Sequence, residues 1–489
     1  MTSPASHAAP ARSPEGRWAA LIVLLVSSFM NLIDVTIVNV ALPAMQQDLG
    51  ASDTEIEWVV AAYILAFSIG LLPFGRLGDM VGRRRMFLYG IGAFTFASAL
   101  CGVAPSIGTL VAARVLQGFA GAMMTPQTLA IVQVIFPPQE RGTAFSMFGL
   151  TAGFATVAGP LVGGLLIGAN LFGLSWQPIF LVNVPIGFLA VLAGLRFIPD
   201  LPGHRDVGID RLGIVLAGLT VLLVVFPLVE GRNFGWPAWC FVPLALSPVF
   251  AVLFVRWQSL QARSGGPQLM PPSILHNGHF MGGAFVSTLF FSAVPGFFMV
   301  LAVFLQVGYG LTALQSGLTT IPFSIGVFAA SLAAGAFGAR YTQMRILVGS
   351  ALLVLCMVWL RITIAGIGDD LRSLDFLIPL ALGGIGLGMT ISPLYQTVLS
   401  TVEGRDAGSA SGSLQAMQQA GGAFGVAVTG QIFFSHFAAP LAGDGHEVYI
   451  AAMRAAILYG VVAFAVVAVA GFLMRPPSRA AIPAPDSGE

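Results

Sequence analysis

From Trp18 to Arg475 most residues belong to one of fourteen apolar runs, and that succession decides the solvent before any motif is read. The runs lie at 18–43, 56–75, 86–105, 107–134, 142–168, 177–198, 211–230, 237–258, 281–306, 314–338, 345–366, 375–399, 407–434 and 449–474. A helix rises 1.5 Å per residue, so about 20 such residues cross a hydrocarbon core of roughly 30 Å. With 56% hydrophobic and only 9% charged residues, the chain is far from the roughly 25% charge of soluble domains. Hydrocarbon offers no partner to an open backbone, so the expected fold is an all-α polytopic bundle of fourteen transmembrane helices. The first run is longer than the 7 to 15 residue core of a signal peptide and lacks an A-x-A site behind it, so it is expected to remain as a span.

Charge gives the orientation. Most of the 22 basic residues, all arginine, gather at one side of this pattern, while Arg232, Arg372 and Arg454 fall at the other. The positive-inside rule then puts both termini in the cytoplasm, and the expected location is the inner, cytoplasmic membrane. A net charge of +1 without a basic stripe argues against a nucleic-acid partner. Cys101, Cys240 and Cys356 have neither disulfide nor metal spacing, and the six histidines are scattered through tails, loops and span ends. We therefore expect no metal, no cofactor and no enzyme activity.

Two ionisable side chains lie deep in the first runs. Asp34 is the sole ionisable residue of WAALIVLLVSSFMNLIDVTIVNVALP. An acid near mid-membrane costs roughly 2.5 to 3.5 kcal/mol and is a functional-site hypothesis by default. Helical spacing puts Ser27, Met30, Asn31, Ile37, Val38 and Ala41 on its face, which is partly polar and should look into the bundle. Arg114 in the fourth run needs a partner or water, and Asp34 is the natural one; the competing reading is an arginine snorkelling to the interface. For Arg361, close to an outer loop, we favour snorkelling.

The chain also repeats itself. Ala66 to Arg85 resembles Pro322 to Arg345, LQGFAGAMMTP ending at Pro126 resembles LGGIGLGMTISP ending at Pro393, and ERGTAFS from Glu140 resembles GRDAGSASGS from Gly404. Three pairs in the same order, each eight runs apart, divide the chain into a six-helix half at 18–198, two linking helices at 199–260 and a second six-helix half at 261–475. The tails at 1–17 and 476–489 are rich in Pro, Ser and Ala and are expected to be disordered.

Four motifs in order carry a family resemblance: LIDVTIVNVALP around Asp34, GRLGDMVGRRR from Gly75 to Arg85, RVLQGFAG from Arg114 and GFATVAGPLVGG from Gly153. Together they resemble the major facilitator superfamily, and with fourteen spans they look like its drug:proton antiporter family. The resemblance implies proton coupling at Asp34 and Arg114, and a latch at Gly75, Asp79, Gly82, Arg83 and Arg85 that shuts the cytoplasmic gate in one state. It also implies an antiporter-motif helix bearing Gly153, Gly159, Pro160, Gly163 and Gly164 at the interface of the halves. Independently of family, these glycines permit close helix approach, Pro160 bends its helix, and a lone acid among arginines can accept charge-assisted bonds. The second-half loop keeps Gly335, Gly338, Arg340 and Arg345 without an acid, so the first-half latch should be the stronger.

Candidate cavity residues are Asn31, Trp58, Tyr63, Gln117, Met123, Gln127, Phe291, Phe297, Gln306 and Tyr395, chosen because adaptable apolar and amide groups suit varied amphipathic ligands. The tenth run and the depth of the thirteenth hold no acid, which favours monocationic, zwitterionic or neutral substrates over dications. The expected function is proton-driven export of lipophilic small molecules by alternating access, with the gradient in place of a cofactor. A monomer is expected, and the pattern leaves room for a periplasmic adaptor. The alternatives are an exporter dedicated to one endogenous metabolite or antibiotic and, from another class, a membrane receptor.

Overall fold

The structure is a computed structural model and describes residues 14–169, 173–203, 208–231, 235–337, 341–368, 371–437 and 445–473. Among these residues the long helices are α1 (Pro14–Leu49), α2 (Asp53–Val81), α3 (Arg83–Gly102), α4 (Ile107–Ile135), α5 (Pro138–Gly168), α6 (Asn183–Phe197), α7 (Arg211–Glu230), α8 (Phe241–Ser264), α9 (Gly278–Val303), α10 (Ala313–Phe337), α11 (Thr342–Ala365), α12 (Leu377–Leu399), α13 (Ala407–Ser435) and α14 (His446–Leu473). Each coincides with an expected run, its ends displaced by a few residues. Of the expected tails, only 14–17 fall within the described residues, and they open α1.

The expected count of fourteen spans is not met. Twelve helices are long and apolar enough to cross a membrane among the described residues, and α5 and α13 are not among them. In α13 the reason is composition: its 29 residues begin AGSASGSLQAMQQAGG, small and polar where the other helices carry Leu, Val and Phe. In α5, of 31 residues, the side chains at 156, 157 and 160 lie outside the described set.

Helix ends follow local chemistry. Ser52 and Glu55 start α2 with a reciprocal box, Glu55 N donating to Ser52 Oγ at 3.3 Å and Ser52 N to Glu55 Oε2 at 2.9 Å. Between α2 and α3 the chain reverses at Gly82, whose φ of 107° is in the region that favours glycine. A π-helical turn, Phe304–Gly308, continues α9 and contains Gln306.

Packing repeats with the same eight-helix offset. In the first set α2 packs on α4, α1 on α5, α3 on α4 and α3 on α6; in the second, α10 packs on α12, α9 on α13, α11 on α12 and α11 on α14. The two sets meet along crossed seams, α2 with α13 and α5 with α10. Lipid gives little hydrophobic drive between helices, so small residues set the approach: a Cβ on Gly118 of α4 would stand 2.5 Å from Tyr63 O, and one on Gly386 of α12 would stand 2.5 Å from Gly349 O. Helices α7 and α8 pack on each other, and α7 also covers α2 and α13. Buried Asp210 ties this pair together, accepting from Gly213 N at 2.8 Å, Trp257 Nε1 at 2.8 Å and Gln258 Nε2 at 2.6 Å.

Candidate functional site

Asp34 and Arg114 form a buried pair. Arg114 Nη1 donates to Asp34 Oδ2 at 2.5 Å, with Asp34 fully buried and Arg114 1% exposed. The arrangement satisfies more than the charges. Gln117, one turn along α4, donates from Nε2 to Asp34 Oδ1 at 2.8 Å and accepts from Arg114 Nη1 at 2.7 Å. Arg114 Nε donates to Val59 O at 2.9 Å, and its guanidinium carbon lies 4.2 Å from the centre of the Tyr63 ring. A buried pair is tolerated when such additional bonds meet its remaining donors and acceptors. Beyond Gln117, the hydroxyl of Ser98 accepts from Asn183 Nδ2 at 3.1 Å and from Gln117 Nε2 at 3.3 Å. The snorkelling alternative for Arg114 does not fit this burial. Arg361 donates to the main-chain carbonyl of Arg454 in α14.

Between the two helix sets lies a cavity of about 270 Å³. Its lining includes Ser28, Asn31 and Leu32 of α1, Phe67 of α2, Thr125 and Thr128 of α4, Phe291 and Pro295 of α9, Tyr395 of α12, and Gln415, Gln418, Gln419 and Gly422 of α13. The lining residues are apolar, aromatic, amide or hydroxyl, and none is charged. Some polar groups are already engaged: Gln418 Nε2 donates to Ser287 Oγ at 2.7 Å, and Gln415 Nε2 to Thr125 O at 3.3 Å.

At the arginine-rich end the two sets are fastened together. Asp79, near the end of α2, accepts from Gly408 N at 2.9 Å, Ser409 N at 2.8 Å and Ser409 Oγ at 3.0 Å, all in the first turn of α13. There the unpaired amides and the helix dipole favour an anion. Arg83 donates to Asp79 Oδ1 at 2.7 Å and to the carbonyls of Gly404 and, at 3.2 Å, Arg405. Arg76 pairs with Asp406 at 3.3 Å, and Gln133 donates to Leu399 O at 2.7 Å. The close approach rests on Gly75, whose Cβ would stand 2.5 Å from Gly408 O. Arg85 is exposed and stands outside this cluster. In the second-half loop, Gly338 and Arg340 lie outside the described residues.

Along α5, Gly153 faces Val327 of α10 across the seam, whereas Gly159 and Gly163 face Thr36 and Ile37 of α1 within the first set. A Cβ on Gly164 would meet open space, and the side chain of Pro160 lies outside the described residues. Of the candidate cavity residues, Asn31, Phe291 and Tyr395 line the cavity. Tyr63 and Gln117 sit behind its wall with Arg114. Trp58 packs toward Phe226 of α7, and Phe297 packs edge-on to Phe298. Gln127 donates to Phe74 O at 2.9 Å. Met123 and Gln306 are likewise outside the lining set. Sequence reasoning missed Gln415, Gln418, Gln419 and Gly422, although their i, i+3, i+4, i+7 spacing on α13 is a readable stripe.

Helix packing that repeats eight elements apart, a cavity lined from both sets and a buried acid–arginine pair beside it define a multi-pass membrane transporter. The family model described as Major Facilitator Superfamily matches residues 24–426, and the chain belongs to that family. It is 39% identical to a protein of Streptomyces coelicolor named a probable actinorhodin transporter, over 86% of this chain and 72% of that one. It is 35% identical to a puromycin resistance protein of Streptomyces alboniger, over 88% and 84% respectively, and 32% identical to the multidrug resistance protein Stp of Mycobacterium tuberculosis, over 86% and 76%. In fold it is similar to the human organic anion transporter MFSD10, with a TM-score of 0.66 at 14% identity over 93% of this chain and 100% of that one.

Proposed function

We propose that the chain exports lipophilic or amphipathic small molecules, antibiotics among them, by exchange for protons across the cytoplasmic membrane. The observation that carries this reading is the buried Asp34–Arg114 pair beside an uncharged cavity shared by both helix sets. An acid held off water at membrane depth is a functional position, and movement of its arginine partner between states would switch its affinity for a proton. In this reading α1–α6 and α9–α14 rock against each other about the cavity. Helices α5 and α13 complete fourteen spans, both termini are cytoplasmic, and the contacts of Asp79 and Arg83 hold the cytoplasmic gate shut. One proton per cycle supplies roughly 2.3 kcal/mol from 100 mV, and each pH unit adds about 1.36 kcal/mol. Together these sustain about a few hundredfold accumulation of a neutral substrate. Lipophilic monocations and neutral compounds suit a lining with no carboxylate. Similarity to a protein named for actinorhodin alone favours, as a second reading, export of one dedicated antibiotic.

The test is proton release from proteoliposomes on addition of ethidium or puromycin, native chain against Asp34→Asn. Release that vanishes in the variant is the expected result. Equal release from both would move coupling away from Asp34, and probe binding without any release would favour a receptor over an antiporter.

A further inference from the structure

Asp34 does not reach the cavity whose contents it is proposed to exchange for protons. It is fully buried and absent from the lining, so occupancy must be transmitted through other residues. The route is contiguous. Asn31 and Phe67 line the cavity, and both touch Tyr63 behind it. Asn31 Nδ2 donates to Tyr63 Oη at 2.7 Å, and the Phe67 ring lies parallel to that of Tyr63, 5.9 Å between centres at 8°. The opposite contact of Tyr63 is Arg114, whose guanidinium lies face-on over the ring and donates to Asp34. Space for the Asn31–Tyr63 bond is left by Gly121, where a Cβ would stand 2.7 Å from Asn31 Nδ2 and 3.2 Å from Tyr63 Oη.

We propose that Tyr63 is the positioning residue that couples occupancy of the cavity to the Asp34–Arg114 pair. A molecule pressing on Asn31 and Phe67 fixes the phenol ring under the guanidinium; Arg114 is then held on Asp34, and the carboxylate gives its proton to water. When the cavity empties, the ring is freer, Arg114 can withdraw and Asp34 takes a proton again. Substrate and proton thus exclude one another without touching. The inference rests on the antiport reading above and deepens it. It also carries a linkage requirement: if substrate shifts proton affinity, protons shift substrate affinity by the same factor. The charged and titratable groups around Asp34 are Arg114 of α4, Tyr63 of α2 and Cys101 of α3, the last within 3.5 Å of Gln117 Oε1.

The experiment compares native chain, Asp34→Asn, Tyr63→Phe, Tyr63→Leu and Asn31→Ala in proteoliposomes, with ethidium and puromycin as probes and both proton release and probe affinity read across pH. Tyr63→Phe keeps the ring over Arg114 and removes only the hydroxyl link. It is expected to bind probe, yet to release protons about fivefold less or more weakly still, in the range of ordinary coupling between sites, and its probe affinity should no longer vary with pH. Asn31→Ala cuts the same link from the other side and should lose release likewise, while Tyr63→Leu should abolish it. A purely structural Tyr63 would lower binding and release together and leave the pH profile of affinity unchanged. Native-like release and pH dependence in both Tyr63→Phe and Asn31→Ala, with Asp34→Asn silent, would overturn the relay alone. Release from Asp34→Asn equal to native, or none from native chain that binds probe, would overturn the antiport reading and the relay with it.

Discussion

Asp79 and Ser409 are 330 residues apart in the chain, yet the carboxylate of the first accepts both the main-chain N–H and the hydroxyl of the second. That relationship joins the end of α2 to the start of α13, so it can exist only while the arginine-rich end is closed.

Asp79→Asn keeps the shape of the side chain and removes its charge. Hydrogen bonds to a charged group contribute about 1.5 to 3 kcal/mol each, so losing even one such contribution shifts the closed-to-open ratio by about 10- to 100-fold. Spin labels at exposed Val81 and Glu403 should report longer separations in the variant. An unchanged distance distribution would mean that the closure does not depend on Asp79.

Gly75→Val should block closure rather than folding. Its Cβ would meet Gly408 O at 2.5 Å and Gly412 Cα at 3.1 Å, both across the seam. The expected outcome is a folded chain that binds probe and does not transport it. Transport at the native rate would show that the seam opens enough to admit a side chain.

Arg114→Gln leaves the Asp34 carboxylate buried without its counter-charge, which typically costs about 3 to 5 kcal/mol. Thermal unfolding in detergent should show a large loss of stability. Arg114→Lys should restore only part of it, because a lysine cannot donate to Asp34, Gln117 and Val59 at once while standing over the Tyr63 ring. The double variant Asp34→Asn with Arg114→Gln should lose less than the sum of the single losses, since neither charge is then left alone. Additive losses would mean that the pair is not energetically coupled.

Asp210→Ala removes the cap of α7 and the acceptor shared by Trp257 and Gln258. A lost helix cap costs about 0.5 to 2 kcal/mol. Amide hydrogen exchange should rise over 211–230 and at Leu269 and Met270, whose N–H groups are held by Gln258. Exchange confined to other helices would rule out this role for Asp210.

How much could be read in advance differed by residue. The pairing of Asp34 with Arg114 was legible because two opposite charges at membrane depth have few other places to go. Asp79 was legible as a lone acid among arginines, but its partners were not: the amides of Gly408 and Ser409 and the carbonyl of Gly404 are main-chain groups with no sequence signature. The cavity was legible in character and mostly not in detail. Asn31, Phe291 and Tyr395 line it, whereas Trp58 and Tyr63 do not, because an apolar or aromatic side chain suits lipid, helix interface and cavity alike, and hydrophobic periodicity loses its meaning when both sides of a helix are apolar; Gln117 is instead taken up by Asp34 and Arg114. The glutamine stripe of α13 was missed although its helical spacing carried a readable signal. It belongs to the same Gly, Ser and Gln-rich helix that is too polar to be recognised as a span by composition alone.

The fastening at the arginine-rich end is chemically lopsided, and its two sides tolerate substitution unequally. On one side the work is done by side chains, Asp79 of α2 and Arg83 of α3, which have few substitutes. On the α13 side much of it falls to the backbone of Gly404, Arg405, Gly408 and Ser409. A random change at 404 or 405 leaves the receiving carbonyl in place, while Gly408 is restricted by the space against the Gly75 carbonyl and Asp79 rather than by chemistry. The side chains at 404 and 405 can therefore change without removing these two acceptors, whereas a change at Asp79 or Arg83 removes the bond itself.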